Sequence, residues 1–190
     1  MVIGITGATG FIGTALSKAA TERGHEVVAF SRQPSATAPW VKESRVIHME
    51  EGSDTLDPTG LDALVHLAGE SVMSYWTPAK KRRIRESRVD LTRRIVQSLQ
   101  KCATRPKAFI CASASGAYGH RGDEWLTEAS PRGQGFLAEV CAQWEAAAVS
   151  APVCVRALWT DRRRYQCAEI RRFLARGIRC ASGRWRWRGG

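Results

Sequence analysis

Gly7-Ala8-Thr9-Gly10-Phe11-Ile12-Gly13 is a G-x-x-G-x-x-G run, and its place in the chain matters more than its pattern. It sits directly between a short apolar stretch, residues 2–6, and a stretch with apolar residues at 11, 12, 15, 16 and 19. The first reads as a buried strand. The second reads as a helix over 11–21 that stops before Arg23-Gly24, a helix-ending pair. Residues 26–30 (EVVAF) give a second buried strand, closing a strand–helix–strand unit within about thirty residues. In that setting Gly7 lets the backbone turn sharply, Gly10 lets it approach a diphosphate with no Cβ in the way, and Gly13 lets the helix pack close to the sheet. The helix start adds unpaired N–H groups and the positive end of its dipole. The expectation is dinucleotide binding at Gly7, Gly10 and Gly13.

The end of the second strand selects the dinucleotide. An NAD site carries an acidic side chain there, which holds the ribose 2′-hydroxyl. Here the strand runs into Ser31-Arg32, with no carboxylate before Glu43. A carboxylate repels a 2′-phosphate, whereas a serine hydroxyl and a guanidinium match it, the guanidinium bidentately. NADP(H) is the expected cofactor, with Ser31 and Arg32 at the 2′-phosphate.

Further along, residues 33–44 read as loop, 45–49 as a weakly signalled third strand, and 61–67 (LDALVHL) as a fourth. A long helix is predicted from Pro78 to Cys102, with proline in its first turn and Ile84, Val89, Leu91, Ile95, Val96 and Leu99 mostly on one side. Its early cations, Lys80, Lys81, Arg82, Arg83 and Arg85, read as a solvated face, with phosphate binding as the alternative. Residues 107–112 give a fifth strand, 135–149 a helix and 152–158 a sixth strand. Alternating strands and helices predict an α/β fold of Rossmann type, doubly wound, with a mostly parallel sheet and helices on both faces.

Composition excludes several classes. At 190 residues, 44% hydrophobic, with a mean hydropathy of −0.28, the chain suits one globular domain with a sizeable core. No apolar run approaches the roughly 18–20 residues that span a bilayer, so no membrane partner is expected. The opening residues lack the basic and long apolar regions of a signal peptide, which makes the cytoplasm the expected address, or an organelle if a presequence was removed. The six cysteines form no Cys-x-x-Cys pair, and no histidine stands at zinc-ligand spacing from them. Reduced thiols and no metal site are expected.

With these residues in hand, the chain resembles the short-chain dehydrogenase/reductase superfamily and, more narrowly, its atypical group known as epimerase family proteins. The likeness rests on ITGATGFIGTAL at 5–16, RGHEVVAFSR at 23–32, LVHLAGESV at 64–72, ESRVDLTRRIV at 86–96, SASGAYG at 113–119 and CAQWEAAA at 141–148. These segments span nearly all of residues 1–156 in the family's order. The resemblance implies that Thr9, Gly10, Phe11 and Ile12 lie at the pyrophosphate. It also implies that Leu67, Ala68 and Gly69 flank the adenosine side and that Arg88 reaches into the site. Leu67 reads equally as a core residue, and Arg88 as a surface cation.

The same resemblance leaves catalysis thin. Classical members use a Tyr-x-x-x-Lys pair on the helix after the fifth strand, the tyrosinate acting as acid/base. Aligning that helix on Glu145 puts Leu137 and Cys141 at those two positions, as is typical of the atypical group. Ser113 and Tyr118 are the remaining catalytic candidates, beside Ser115 and His120. Serines after a strand also satisfy backbone groups, and a tyrosine also simply packs. The expected activity is therefore an NADP(H)-dependent oxidoreductase acting on a small molecule. The alternatives are a non-catalytic NADP(H)-dependent sensor or interaction module, or a catalytically incomplete fragment.

After Arg156 the resemblance stops. Residues 156–190 hold eleven arginines and no lysine against Asp161 and Glu169, which accounts for +9 of the net charge of +11. An NADP(H)-binding domain over 1–156 and a divergent Arg-rich tail over 157–190 are expected, without the family's substrate-binding part. Three readings of the tail compete. Arginines interleaved with Trp185 and Trp187 suit nucleic acid. A basic amphipathic stretch at 169–175 suits a membrane or partner surface. A lysine-free, Arg/Trp/Cys/Gly-rich run also suits GC-rich coding sequence translated out of frame, and this third reading is favoured.

Overall fold

The computed structural model describes residues 1–31, 45–48, 56–127 and 129–160, with 45–48 and 154–160 as backbone strands. The expected loop over 33–44, Arg32 and the tail beyond Thr160 lie outside the described residues.

Six strands form one sheet: β1 (Val2–Thr6), β2 (Glu26–Ser31), β3 (Arg45–His48), β4 (Ala63–His66), β5 (Ala108–Ala114) and β6 (Cys154–Thr160). Their order is β3-β2-β1-β4-β5-β6, and every pairing is parallel. Parallel neighbours need a crossover that returns the chain to the same end of the sheet, and helices supply it. These are α1 (Phe11–Thr21), α2 (Pro78–Arg85), α3 (Leu91–Lys101) and α4 (Phe136–Val149). The Rossmann-type arrangement expected from the sequence is present.

Both faces of the sheet are covered, and strand alternation divides the core accordingly. Ile3, Ile5, Val27, Ala29, Val65 and Ile110 point to one face, where Leu16 and Ala20 of α1 close over them. Val28, Phe30, Leu64, Phe109 and Cys111 point to the other, against Ile84, Ile95, Val96 and Leu99 of the long helix and Val140 and Trp144 of α4. At roughly 1.5–3 kcal/mol per fully buried large apolar side chain, these two clusters dominate the gross stabilisation of the fold.

The long helix differs from the single α-helix expected over 78–102. A π turn, Glu86–Asp90, separates α2 from α3, and Leu91 N–H reaches back five residues to Glu86. The buried residues explain it. Ile84 and Val89 are both fully buried yet five apart, a step that in an α-helix would carry Val89 about 140° around the axis. The wider turn takes up one extra residue and returns Val89 to the core face. β6 begins two residues later than expected and runs to Thr160, paired through Ala114↔Thr160.

Candidate functional site

Sheet order reverses between β1 and β4, because β2 and β3 lie on one side of β1 while β4 to β6 lie on the other. A crevice opens at such a switch point beyond the C-terminal strand ends. The glycine run leaves β1 there, and Leu67, Ala68 and Gly69 leave β4 beside it.

The two walls are stitched together closely. Leu67 N–H donates to Thr6 O at 3.1 Å, and Ala68 N–H to Thr6 Oγ1 at 3.4 Å. Beneath them Thr6 Oγ1 meets His66 Nδ1 at 2.6 Å. Gly7 has φ +71, and a Cβ on it would fall 2.7 Å from Ala68 N and 2.8 Å from Leu67 C. A side chain there meets both a left-handed backbone and a wall. Gly10 N–H closes the turn on Gly7 O at 3.0 Å, and Thr14 N–H begins the helix on Gly10 O at 2.8 Å. A Cβ on Gly13 would fall 2.2 Å from Gly7 O and 2.7 Å from Ala8 Cα, so α1 lies directly on the turn.

The head of α1 carries the positive end of the helix dipole. Gly10 is its N-cap with no side-chain capping bond, and no acidic residue stands in the first turn. The opening N–H groups of a helix have no partner within the helix, and Gly10 has no side chain to cap them. Thr9 and Gly10 are exposed, Phe11 is 77% exposed, and Ile12 packs partly against the α1-side core. Ser31 ends β2, half-buried, one residue before Arg32.

The fourth-strand loop is clamped to the long helix through Glu70. Its N–H donates to Ser87 Oγ at 2.9 Å, its carbonyl accepts from Arg88 Nη1 at 3.0 Å, and its carboxylate accepts from Lys80 Nζ at 2.5 Å. Lys80 is therefore buried rather than part of the solvated basic face expected of it. Its ammonium exchanges water for a carboxylate, and most of its side chain is covered. Arg88 is half-buried: its guanidinium lies 5.5 Å over the Trp144 ring and presses on Gly69. Burial draws its pKa down from the usual guanidinium range. His66, sealed below with its ring edge-on to Trp144, is held neutral, its pKa lowered to about 3 by burial first and the Arg88 charge second.

The catalytic candidates sit on the next strand. Ser113, near the end of β5, is fully buried and donates its hydroxyl to Glu145 of α4, whose other oxygen accepts from Arg132. Tyr118 closes the short 3-10 turn Ser115–Tyr118 and is buried, while Ser115 and His120 are exposed. Leu137, Cys141 and Glu145 follow one another at helical spacing, and Leu137 and Cys141 stand over Gly116. Burial pushes the Cys141 thiol up to about 11 and the Cys111 thiol to about 12, so neither is a nucleophile at neutral pH.

Glu70, Ser87, Lys80 and Trp144 escaped sequence reasoning as site residues. The five-residue step from Ile84 to Val89 was the available signal, since it marks the π turn that bears Ser87 and Arg88.

Residues 3–148 match the model of the NAD dependent epimerase/dehydratase family. The chain belongs to that family. It is 32% identical over 161 residues to the chloroplastic epimerase family protein SDR39U1 homolog of Arabidopsis thaliana, covering 82% of this chain and 46% of that protein. It is 33% identical over 150 residues to epimerase family protein YfhF of Bacillus subtilis, covering 76% and 48%. The crystal structure of human epimerase family protein SDR39U1 (isoform 2) with NADPH superposes with a TM-score of 0.68 at 29% identity, covering 84% of this chain and 52% of that one. The chain thus spans about half the length of the curated relatives it matches. No helix among the described residues is long and apolar enough to cross a membrane.

Proposed function

We propose that this family member binds NADP(H) in the crevice between the glycine turn and the Leu67–Gly69 wall, as the cofactor half of an oxidoreductase whose substrate is a small molecule. The observation that carries this is the cradle at the head of α1. Side chains at Gly7 and Gly13 would collide with backbone there, Gly10 brings no side-chain cap, and no acidic residue stands in the first turn of α1. The pyrophosphate is held by the N–H groups of that first turn, with Thr9 and Phe11 beside them. Ser31 and Arg32 take the 2′-phosphate, and Leu67, Ala68 and Gly69 flank the adenosine side. Arg88 supplies positive charge from the long helix. That the human relative was crystallised with NADPH supports the choice of dinucleotide.

When bound, the dinucleotide supplies a hydride donor or acceptor at its nicotinamide ring. On this chain's side, Ser113 and Tyr118 are the hydroxyls nearest to the role of acid or orienting group. A cytoplasmic address, the 1–156 domain limit and an out-of-frame tail belong to the same proposal.

Calorimetric titration with NADPH and NADH, repeated on Arg32→Asp, tests the reading. NADPH is expected to bind more tightly, and the substitution to reverse the order. Equal affinity for both dinucleotides in the unaltered protein would sink the NADP assignment, and absence of binding the whole reading.

A second reading, a non-catalytic NADP(H)-dependent module, has its own support. Leu137 and Cys141 replace the proton-transfer pair, and Ser113 is fully buried with its hydroxyl committed to Glu145. Under it, NADPH binds but is not consumed with a panel of carbonyl substrates, and Tyr118→Phe changes nothing. Turnover abolished by Tyr118→Phe decides for the enzyme.

A further inference from the structure

Among the described residues, every hydrogen bond of the Arg88 guanidinium leaves from one corner, Nη1. Nη1 donates to Glu70 O at 3.0 Å, with longer contacts to Ile84 O and Ser87 Oγ at 3.4 Å. Among the described residues Nε and Nη2 donate to nothing. Glu70, the one carboxylate among the described residues whose charge acts on Arg88, is already held by Lys80 at 2.5 Å, with Arg83 at 3.8 Å. A half-buried cation with two donors unused among the described residues is a prepared anion contact, because a guanidinium that loses water without gaining a counter-charge is unfavourable unless a ligand completes it.

Two hydroxyls fix where that unused edge points. Thr92, fully buried, donates to the Arg88 carbonyl at 2.5 Å across the π turn. Ser87 gathers three contacts at the other end. It accepts from Glu70 N–H at 2.9 Å, accepts from Arg88 Nη1 at 3.4 Å, and donates to Ile84 O at 3.1 Å. One hydroxyl therefore holds the backbone of Arg88, and the other holds its head together with the loop that carries Gly69. Between them lies the π turn, the irregularity that commonly marks functional positions in helices.

We propose that Ser87 and Thr92 are positioning residues that, through the π turn, hold Arg88 with its free N–H edge presented to the phosphates of the dinucleotide. This rests on the cofactor reading above. Neither hydroxyl touches the ligand. Both act through Arg88, so their effect on binding disappears once the guanidinium is gone.

The experiment is a double-mutant cycle read by NADPH fluorescence titration on the full chain. Thr92→Val and Ser87→Ala are each expected to weaken NADPH binding about three- to tenfold, the size of one buried hydrogen bond. Thr92→Ser, which keeps the hydroxyl, restores the affinity. In an Arg88→Ala background neither substitution weakens binding further. Should Thr92→Val fail to fold in a thermal melt, Ser87→Ala, on a half-exposed residue, carries the same comparison. Losses of full size that persist in the Arg88→Ala background overturn the proposal, as do an Arg88→Ala protein that binds normally and a Thr92→Ser protein that does not recover. Absence of NADPH binding by the unaltered chain instead overturns the cofactor reading beneath it.

Discussion

The Arg88 guanidinium occupies the space into which a side chain on Gly69 would grow: a Cβ there would fall 3.1 Å from Cζ and 3.1 Å from Nη2. The obstacle is the far end of a flexible side chain, so it yields. Gly69→Ala is therefore expected to shift the guanidinium at a stability change below about 1 kcal/mol. NADPH affinity falls while the melting temperature stays nearly constant. Parallel calorimetry and thermal melts check this, and a melting temperature that falls in step with affinity counts against it.

Gly13 meets a different obstacle. Its Cβ would fall 2.2 Å from the Gly7 carbonyl and 2.7 Å from Ala8 Cα, both backbone atoms of the turn. Gly13→Ala forces α1 away from β1, and overpacking of this kind costs about 1–3 kcal/mol or more. Urea denaturation should show a lowered midpoint and, in whatever protein remains folded, lost NADPH binding.

Lys80 and Glu70 form a pair in which the lysine is nearly sealed and the carboxylate only partly so, with side-chain exposures of 11% and 25%. Removing one partner of a fully buried pair costs about 3–5 kcal/mol. Here Arg83 stands 3.8 Å from the same oxygen, and residual water reaches Glu70, so Lys80→Met should cost less, about 1–2 kcal/mol. Lys80→Met combined with Glu70→Gln should recover part of the loss in chemical denaturation, because no orphaned charge remains.

His66 makes stability depend on pH. Its folded pKa of about 3 lies below the ordinary value of 6.5, so between those limits the unfolded chain binds a proton that the folded chain refuses. Its stabilising contribution is complete above about pH 6.5 and is lost as pH falls toward 3, with a slope of up to about 1.4 kcal/mol per pH unit. Melting temperatures measured from pH 7 to pH 4 should fall more steeply for the unaltered protein than for His66→Asn, once their difference at pH 7 is subtracted. Parallel curves would exclude the effect.

Much of the architecture was legible because its signals are local. Residues 2–6 and 26–30 are apolar without a break, as strands buried on both faces must be, and both appear within a residue of their expected limits. α1 ends at Thr21, ahead of Gly24, whose φ of +72 is the helix-ending conformation read from Arg23-Gly24. The long helix is less legible, because its apolar residues suggest an α period while Ile84 and Val89 follow a wider one. The sequence suggests a solvated face for Lys80 because a lysine's partner, here ten residues earlier on a loop, carries no periodic signature.

By itself the sequence determined the alternation of strands and helices, the glycine turn at its first crossover and the family to which that turn belongs. These depend on steric and hydrophobic rules acting within a few turns of chain. Only the tertiary structure decided which polar groups meet: His66 beneath Thr6, Glu70 bridging Lys80, Ser87 and Arg88, and Ser113 bound to Glu145. Such partners come together through the packing of separate elements on the sheet. What makes them matter is the exclusion of water between them, which a linear order of residues does not encode.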